Sequence, residues 1–81
     1  MPLNYYWKYQ TRLGEARIEF VNQRWRIYLT EEDLGGYDTP EQALDDFTGG
    51  HPWSHSTGVD TSTLGLPDEL SGWALIKSTR R

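Results

Sequence analysis

The sequence predicts an α+β fold: a three- or four-stranded antiparallel sheet packed on one short helix, with a C-terminal strand-like segment completing the sheet. Three observations carry this. Residues 15–21 and 24–30 alternate apolar and polar side chains with period two, as half-buried strands do. Only Asn22 and Gln23 separate them, a hairpin spacing. A Thr39-Pro40 pair then opens an apolar pattern with helical spacing.

The elements follow in order. Residues 4–10, Asn-Tyr-Tyr-Trp-Lys-Tyr-Gln, are dense in strand formers, and Thr11 to Gly14 read as a turn. In residues 15–21, Ala16, Ile18 and Phe20 share one face, with Glu15, Arg17 and Glu19 on the other. In residues 24–30, Trp25, Ile27 and Leu29 point inward, and Arg24, Arg26, Tyr28 and Thr30 point outward. Three strands with short turns make a meander with one buried face. Glu31-Glu32-Asp33 reads as an acidic turn, and residues 34–37 as a short bent strand. The helix spans residues 39–48. Thr39 is its N-cap, Pro40 opens it, Gln42 completes a capping box, and Gly49-Gly50 ends it. Its apolar stripe is Ala43, Leu44 and Phe47. Residues 49–65 read as a long polar loop, residues 66–70 as one helical turn, and residues 73–77 as a final strand.

The 81 residues hold one domain. No cysteine is present, which excludes disulfides and thiolate metal sites. The hydrophobic share is 36% and the aromatic share 14%, so large rings supply much of the core. No secretory signal or apolar stretch of spanning length is seen, and the expected location is cytoplasmic, with no membrane partner.

The net charge of −4 is unevenly laid out. Residues 1–30 carry five basic and two acidic side chains, residues 31–70 carry ten acidic and no Lys or Arg, and residues 71–81 carry three basic ones. Arg17, Arg24 and Arg26 share an outward face with Tyr28, and Lys8 and Tyr6 join them in one register. Such a face suits phosphates and bases. It equally suits a solvated sheet in which Arg pairs with Glu across strands.

Other candidates are sparser. His51, His55 and Asp60 make the only metal-like grouping, but Pro52 and the flanking glycines break the helical spacing that two imidazoles would need. Ser54, His55 and Asp60 spell a triad in letters without the glycine-framed turn of a nucleophile. No catalytic residue, metal or cofactor is therefore assigned. Trp25 is expected in the core and Trp73 at its edge. Trp53, in the polar loop, is expected to act as a lid, with a protein-contact hot spot as the alternative. Aromatics on both faces of the first strand imply either coverage by the C-terminal segment or a homodimer contact there.

Two resemblances add expectations. Residues 24–48, from Arg-Trp-Arg-Ile-Tyr-Leu through Leu-Gly-Gly-Tyr-Asp-Thr-Pro-Glu-Gln-Ala-Leu-Asp-Asp-Phe, are similar to the strand-strand-strand-helix modules of plant ethylene-response-factor DNA-binding domains and integrase arm-binding domains. That resemblance covers roughly a third of the chain. It implies a three-stranded sheet on one helix whose sheet face enters the DNA major groove. This chain departs from that pattern in being acidic and in its shorter helix. The whole chain also resembles a group of small bacterial proteins of unknown function. They share its Leu-Gly-x-Tyr turn, Pro-x-x-Ala-Leu-Asp-Asp helix, Gly-Gly-His turn and Gly-Val-Asp-Thr-Ser…Leu-Gly-Leu-Pro…Leu-Ser-x-Trp tail. This second resemblance brings no activity.

The expected role is a small non-catalytic binding or adaptor protein recognising another protein through Arg17, Arg24, Arg26, Tyr28 and Trp53. The alternative is a sheet-face nucleic-acid binder, and a small metal-dependent enzyme is a remote third.

Overall fold

The computed structural model describes residues 5–50 and 55–77. Five strands form one antiparallel sheet in the order β4-β3-β2-β1-β5: β1 Tyr5–Gln10, β2 Glu15–Val21, β3 Arg24–Leu29, β4 Glu32–Tyr37 and β5 Ala74–Lys77. Five strands replace the expected three or four, because β4 and β5 are both full members of the ladder. One helix, α1 Pro40–Gly49, packs on the inner face.

Each turn has a local cause. Asn22 and Gln23 adopt φ of 54° and 70°, the left-handed pair that matches a two-residue hairpin to the sheet's twist. Thr30 and Glu31 do the same at 51° and 75°. The second hairpin therefore turns at Thr30-Glu31, and β4 begins at Glu32. The expected acidic turn is thus divided, with Glu32 and Asp33 lying within the strand. Between β1 and β2, the Thr11 hydroxyl donates to the Gly14 carbonyl at 2.7 Å and accepts from the Leu13 and Gly14 amides.

The β3–β4 register slips once. Ile27 faces Gly35 and Tyr28 faces Asp33, leaving Leu34 as the extra residue of a bulge. The bulge lets Leu34 enter the core while Asp33 joins the outer face. Gly35 takes φ of 146°, a conformation costly for any residue with a Cβ.

The helix begins as its sequence implies. The Thr39 hydroxyl accepts from the Gln42 amide at 3.1 Å, and the Gln42 side chain accepts from the Asp38 amide at 3.2 Å. Gly50 closes the helix in the left-handed region, its N–H returning to the Asp46 carbonyl. α1 starts beside Tyr37 on β4, and its Phe47 ring ends 6.0 Å from Trp73, whose ring lies 5.9 Å from Tyr9 of β1. The helix therefore crosses the sheet diagonally. It buries Ala16, Ile18, Ile27, Leu29 and Leu34 beneath Ala43, Leu44 and Phe47.

The segment after the helix is more structured than a plain loop. Asp60 caps a 3-10 turn at Thr61–Thr63, and the buried Thr61 hydroxyl donates to the Phe47 carbonyl at 2.6 Å. The helical turn expected at 66–70 lies later, as a 3-10 turn at Leu70–Gly72. Trp73 is buried and its indole donates to the Pro67 carbonyl at 2.9 Å. It precedes β5, which starts at Ala74.

Two expectations about the inner face need correction. Trp25 is half-buried at the rim of the core, and Phe20 is 48% exposed although it shares a face with Ile18. Both lie at the corner that the diagonal helix leaves uncovered. β1 has neighbours on both sides, so the C-terminal segment covers it and no edge remains there for a second copy.

Candidate functional site

The outer face of the sheet gathers most of the residues the sequence singled out. Register sets them in two rows across the strands. Lys8, Arg17, Tyr28 and Asp33 form one row, and Tyr6, Glu19, Arg26 and Gly36 the next. Alternation placed Arg17, Glu19, Arg26 and Tyr28 on this face, but only the register made them neighbours. It brings Lys8 and Tyr6 into the site.

Arg17 is the centre. Its guanidinium carbon lies 5.0 Å from the Tyr28 ring centroid, a cation–π distance. Two of its nitrogens grip Glu31 as a fork, at 2.9 Å and 3.3 Å, and one also reaches Glu15 at 3.4 Å. Its Nε is 3.3 Å from Glu19 without hydrogen-bond alignment. The side chain is only 16% exposed. The bond to Glu31 raises the Arg17 pKa further, against the opposing effect of burial, and holds the Glu31 carboxyl below its ordinary range.

The other arginines are also engaged. Arg26 Nε donates to Asp33 at 2.8 Å. Arg24 donates to the Gly36 carbonyl at 2.9 Å and lies 3.7 Å from Asp38. Lys8 is 3.4 Å from Glu15. Burial first, then the charges of Asp33 and Glu19, raises the Tyr28 phenol pKa, with Arg26 and Arg17 pulling against them. The face is therefore a lattice of alternating charge around two tyrosines. Glu15 and Glu19 were legible from alternation. Asp33 was hidden by the bulge, and Glu31 and Asp38 by their place in turns.

The metal-like residues are bound up in other work. His55 is buried. Its Nε2 lies 2.8 Å from the Thr30 hydroxyl, 3.1 Å from the Leu29 carbonyl and 3.7 Å from Glu32, and its Nδ1 accepts from the Thr57 amide at 3.2 Å. The Thr57 amide contact makes Nδ1 the acceptor, so Nε2 carries the proton and donates. Glu32 also accepts from the Ser56 amide at 3.0 Å, and a hydrogen bond from the Ser56 side chain first, then this amide bond, hold its carboxyl below the usual range. His55 thus pins the returning chain to the β3–β4 hairpin. Asp60 accepts from the amide and hydroxyl of Ser62. Among the described residues no group of three or more metal-ligating side chains converges. His51, Trp53 and Ser54 lie outside the described residues, so the lid and triad expectations that name them have no geometry here.

Among the described residues no helix is long and apolar enough to cross a membrane. Comparisons with protein-family models, curated proteins and solved structures gave no match.

Proposed function

We propose that this protein is a non-catalytic binding module that recognises another protein through the outer face of its sheet, with Arg17, Arg24, Arg26 and Tyr28 at the centre. The observation that supports this is the engagement of every one of those arginines by a carboxylate of the chain. A surface for a phosphate backbone gains affinity by releasing counterions from free cations. Here binding phosphate would first require displacing Glu31, Asp33 or Asp38. A mixed-charge face with accessible tyrosines instead suits a protein surface of equally mixed polarity, where charge pattern sets register and partner choice.

The test has two arms. In the first, cross-linked partners are captured by the wild type and by the Arg26→Ala/Tyr28→Ala double variant, whose fold is checked by its amide spectrum. The variant is expected to lose at least about tenfold in affinity for the captured protein, as a hot-spot pair does. Equal capture by both overturns the reading. In the second arm, labelled protein is titrated with short duplex and single-stranded DNA at low and high salt. No shift is expected. Shifts around Arg17, Arg24, Arg26 and Tyr28 that vanish with salt would overturn the protein-binding reading in favour of a nucleic-acid surface.

A further inference from the structure

We propose that Gly36 is a positioning residue of the outer face: its bare backbone lets Arg26 and Arg24 lie flat on β4, and so decides which carboxylate Arg26 holds and what charge pattern a partner meets. The role in recognition rests on the protein-binding reading above. The role in pairing does not.

Two carboxylates are placed by register within reach of Arg26. Glu19 faces it directly on β2, and Asp33, which faces Tyr28, lies diagonally from it on β4. A directly opposed pair is the ordinary choice, because its Cβ atoms are the nearer ones. The structure holds the diagonal pair instead. Arg26 Nε donates to Asp33 at 2.8 Å, and Glu19 is left to Arg17, 3.3 Å from its Nε.

The missing side chain at position 36 permits the diagonal. Gly36 is the residue of β4 that faces Arg26, so the arginine passes over it on the way to Asp33. A Cβ at Gly36 would overlap Arg26 Nη1, and would lie 3.3 Å from Arg26 Cζ and 3.4 Å from Arg24 Cβ. Arg24 uses the same bare stretch, donating to the Gly36 carbonyl at 2.9 Å. Backbone conformation does not demand this glycine. Gly35 has φ of 146°, but Gly36 lies outside the left-handed region, so an alanine there meets no backbone strain. What Gly36 supplies is space.

The acceptor is fixed in advance. Asp33 Oδ1 accepts from the Gly35 amide at 3.0 Å while Oδ2 takes Arg26. The bulge thus aims the carboxylate and Gly36 clears the approach. An alanine at position 36 would lift Arg26 off β4 and turn it to Glu19. That in turn draws Glu19 from Arg17, the centre of the face. One methyl group on an edge strand would then change the pairing two strands away.

Nuclear Overhauser contacts of the arginine Nε protons read the pairing without any partner. In the wild type the Arg26 proton should contact the Asp33 methylene. In Gly36→Ala that contact should be lost and one to Glu19 should replace it, with the Arg17 contact to Glu19 weakened. Asp33→Asn keeps an acceptor for the Gly35 amide and should give the same exchange without touching the glycine. Retention of the Asp33 contact in Gly36→Ala overturns the proposal. If Gly36→Ala alone does not fold, Gly36→Ala/Arg26→Ala should, because the overlapping guanidinium is gone. Failure of that double variant also overturns the proposal. For recognition, Gly36→Ala should lose about tenfold in affinity for a protein captured by the wild type, and Gly36→Ala/Arg26→Ala should bind no worse than Arg26→Ala. Unchanged capture by Gly36→Ala beside a loss in Arg26→Ala/Tyr28→Ala overturns the role of Gly36 in recognition and leaves the reading of the face standing. Equal capture by all of them overturns that reading, while the Arg26 contacts still decide the pairing.

Discussion

The inner face of the sheet has two ends that read alike in sequence and behave differently in the fold. At one end Ala16, Ile18, Ile27 and Leu29 are fully buried under α1. At the other, Tyr5, Trp7, Phe20 and Trp25 form a ring cluster with centroids 5.2 to 5.8 Å apart, half-open to solvent. Both ends obey the same two-residue period. The difference lies in what covers them. A ten-residue helix spans only about 15 Å. Lying diagonally, it cannot roof five strands. The aliphatic end relies on the helix for burial, whereas the aromatic end screens itself by ring-on-ring contact.

The largest expected effect sharpens this contrast. Phe47→Ala opens a cavity beneath the helix where Phe47 meets Trp73, and should cost about 3–5 kcal/mol in denaturant unfolding. Phe20→Ala removes a ring of the same size from the open corner and should cost less than about 1 kcal/mol. Similar losses for both would mean that the aromatic end is as tightly roofed as the aliphatic one.

A smaller effect concerns how the roof is fastened. The Thr61 hydroxyl is buried and bonded to the Phe47 carbonyl at a site where the helix's last turn leaves carbonyls unpaired. Thr61→Val keeps the shape and removes the donor, so about 1–2 kcal/mol of stability should be lost. Hydrogen exchange should show the loss in residues 44–50 before it reaches β1 or β2.

Much of this was legible beforehand, for identifiable reasons. β2, β3 and α1 were readable because alternation and capping are local and leave marks on neighbouring residues. The start of β4 was not, because a left-handed turn at Thr30-Glu31 carries no glycine to announce it. The bulge at Leu34 was likewise silent, and with it the pairing of Arg26 with Asp33. The outer face was legible as a list of residues. Its chemistry was not, because whether an arginine is free or already held depends on register and on turn residues that periodicity does not place. The half-burial of Trp25 has the same origin: alternation gives the face a side chain points to, and the helix's path decides whether that face is covered.

Tyr37 sits where the two ends meet and offers the finest test of the boundary. Its backbone pairs with Trp25 at the aromatic end, and its ring packs against the core beside the helix. Burial above all, and then the charge and hydrogen bond of Asp46, push its phenol up to about 12. The folded chain therefore holds the Tyr37 proton at alkaline pH where the unfolded chain, with a phenol near 10, has released it. Stability from this group is fully present below about pH 10 and falls as the pH climbs toward about 12, because the folded state then binds the extra proton. Ring-carbon NMR shifts followed through that range should resolve Tyr37 as a late-titrating phenol among the five tyrosines, and Tyr37→Phe should remove that step. Asp46→Asn should lower the midpoint only in part, because burial acts first. A full return to the ordinary range in Asp46→Asn would mean that the helix's carboxylate, rather than the covering of the ring, marks where the closed end of the sheet gives way to the open one.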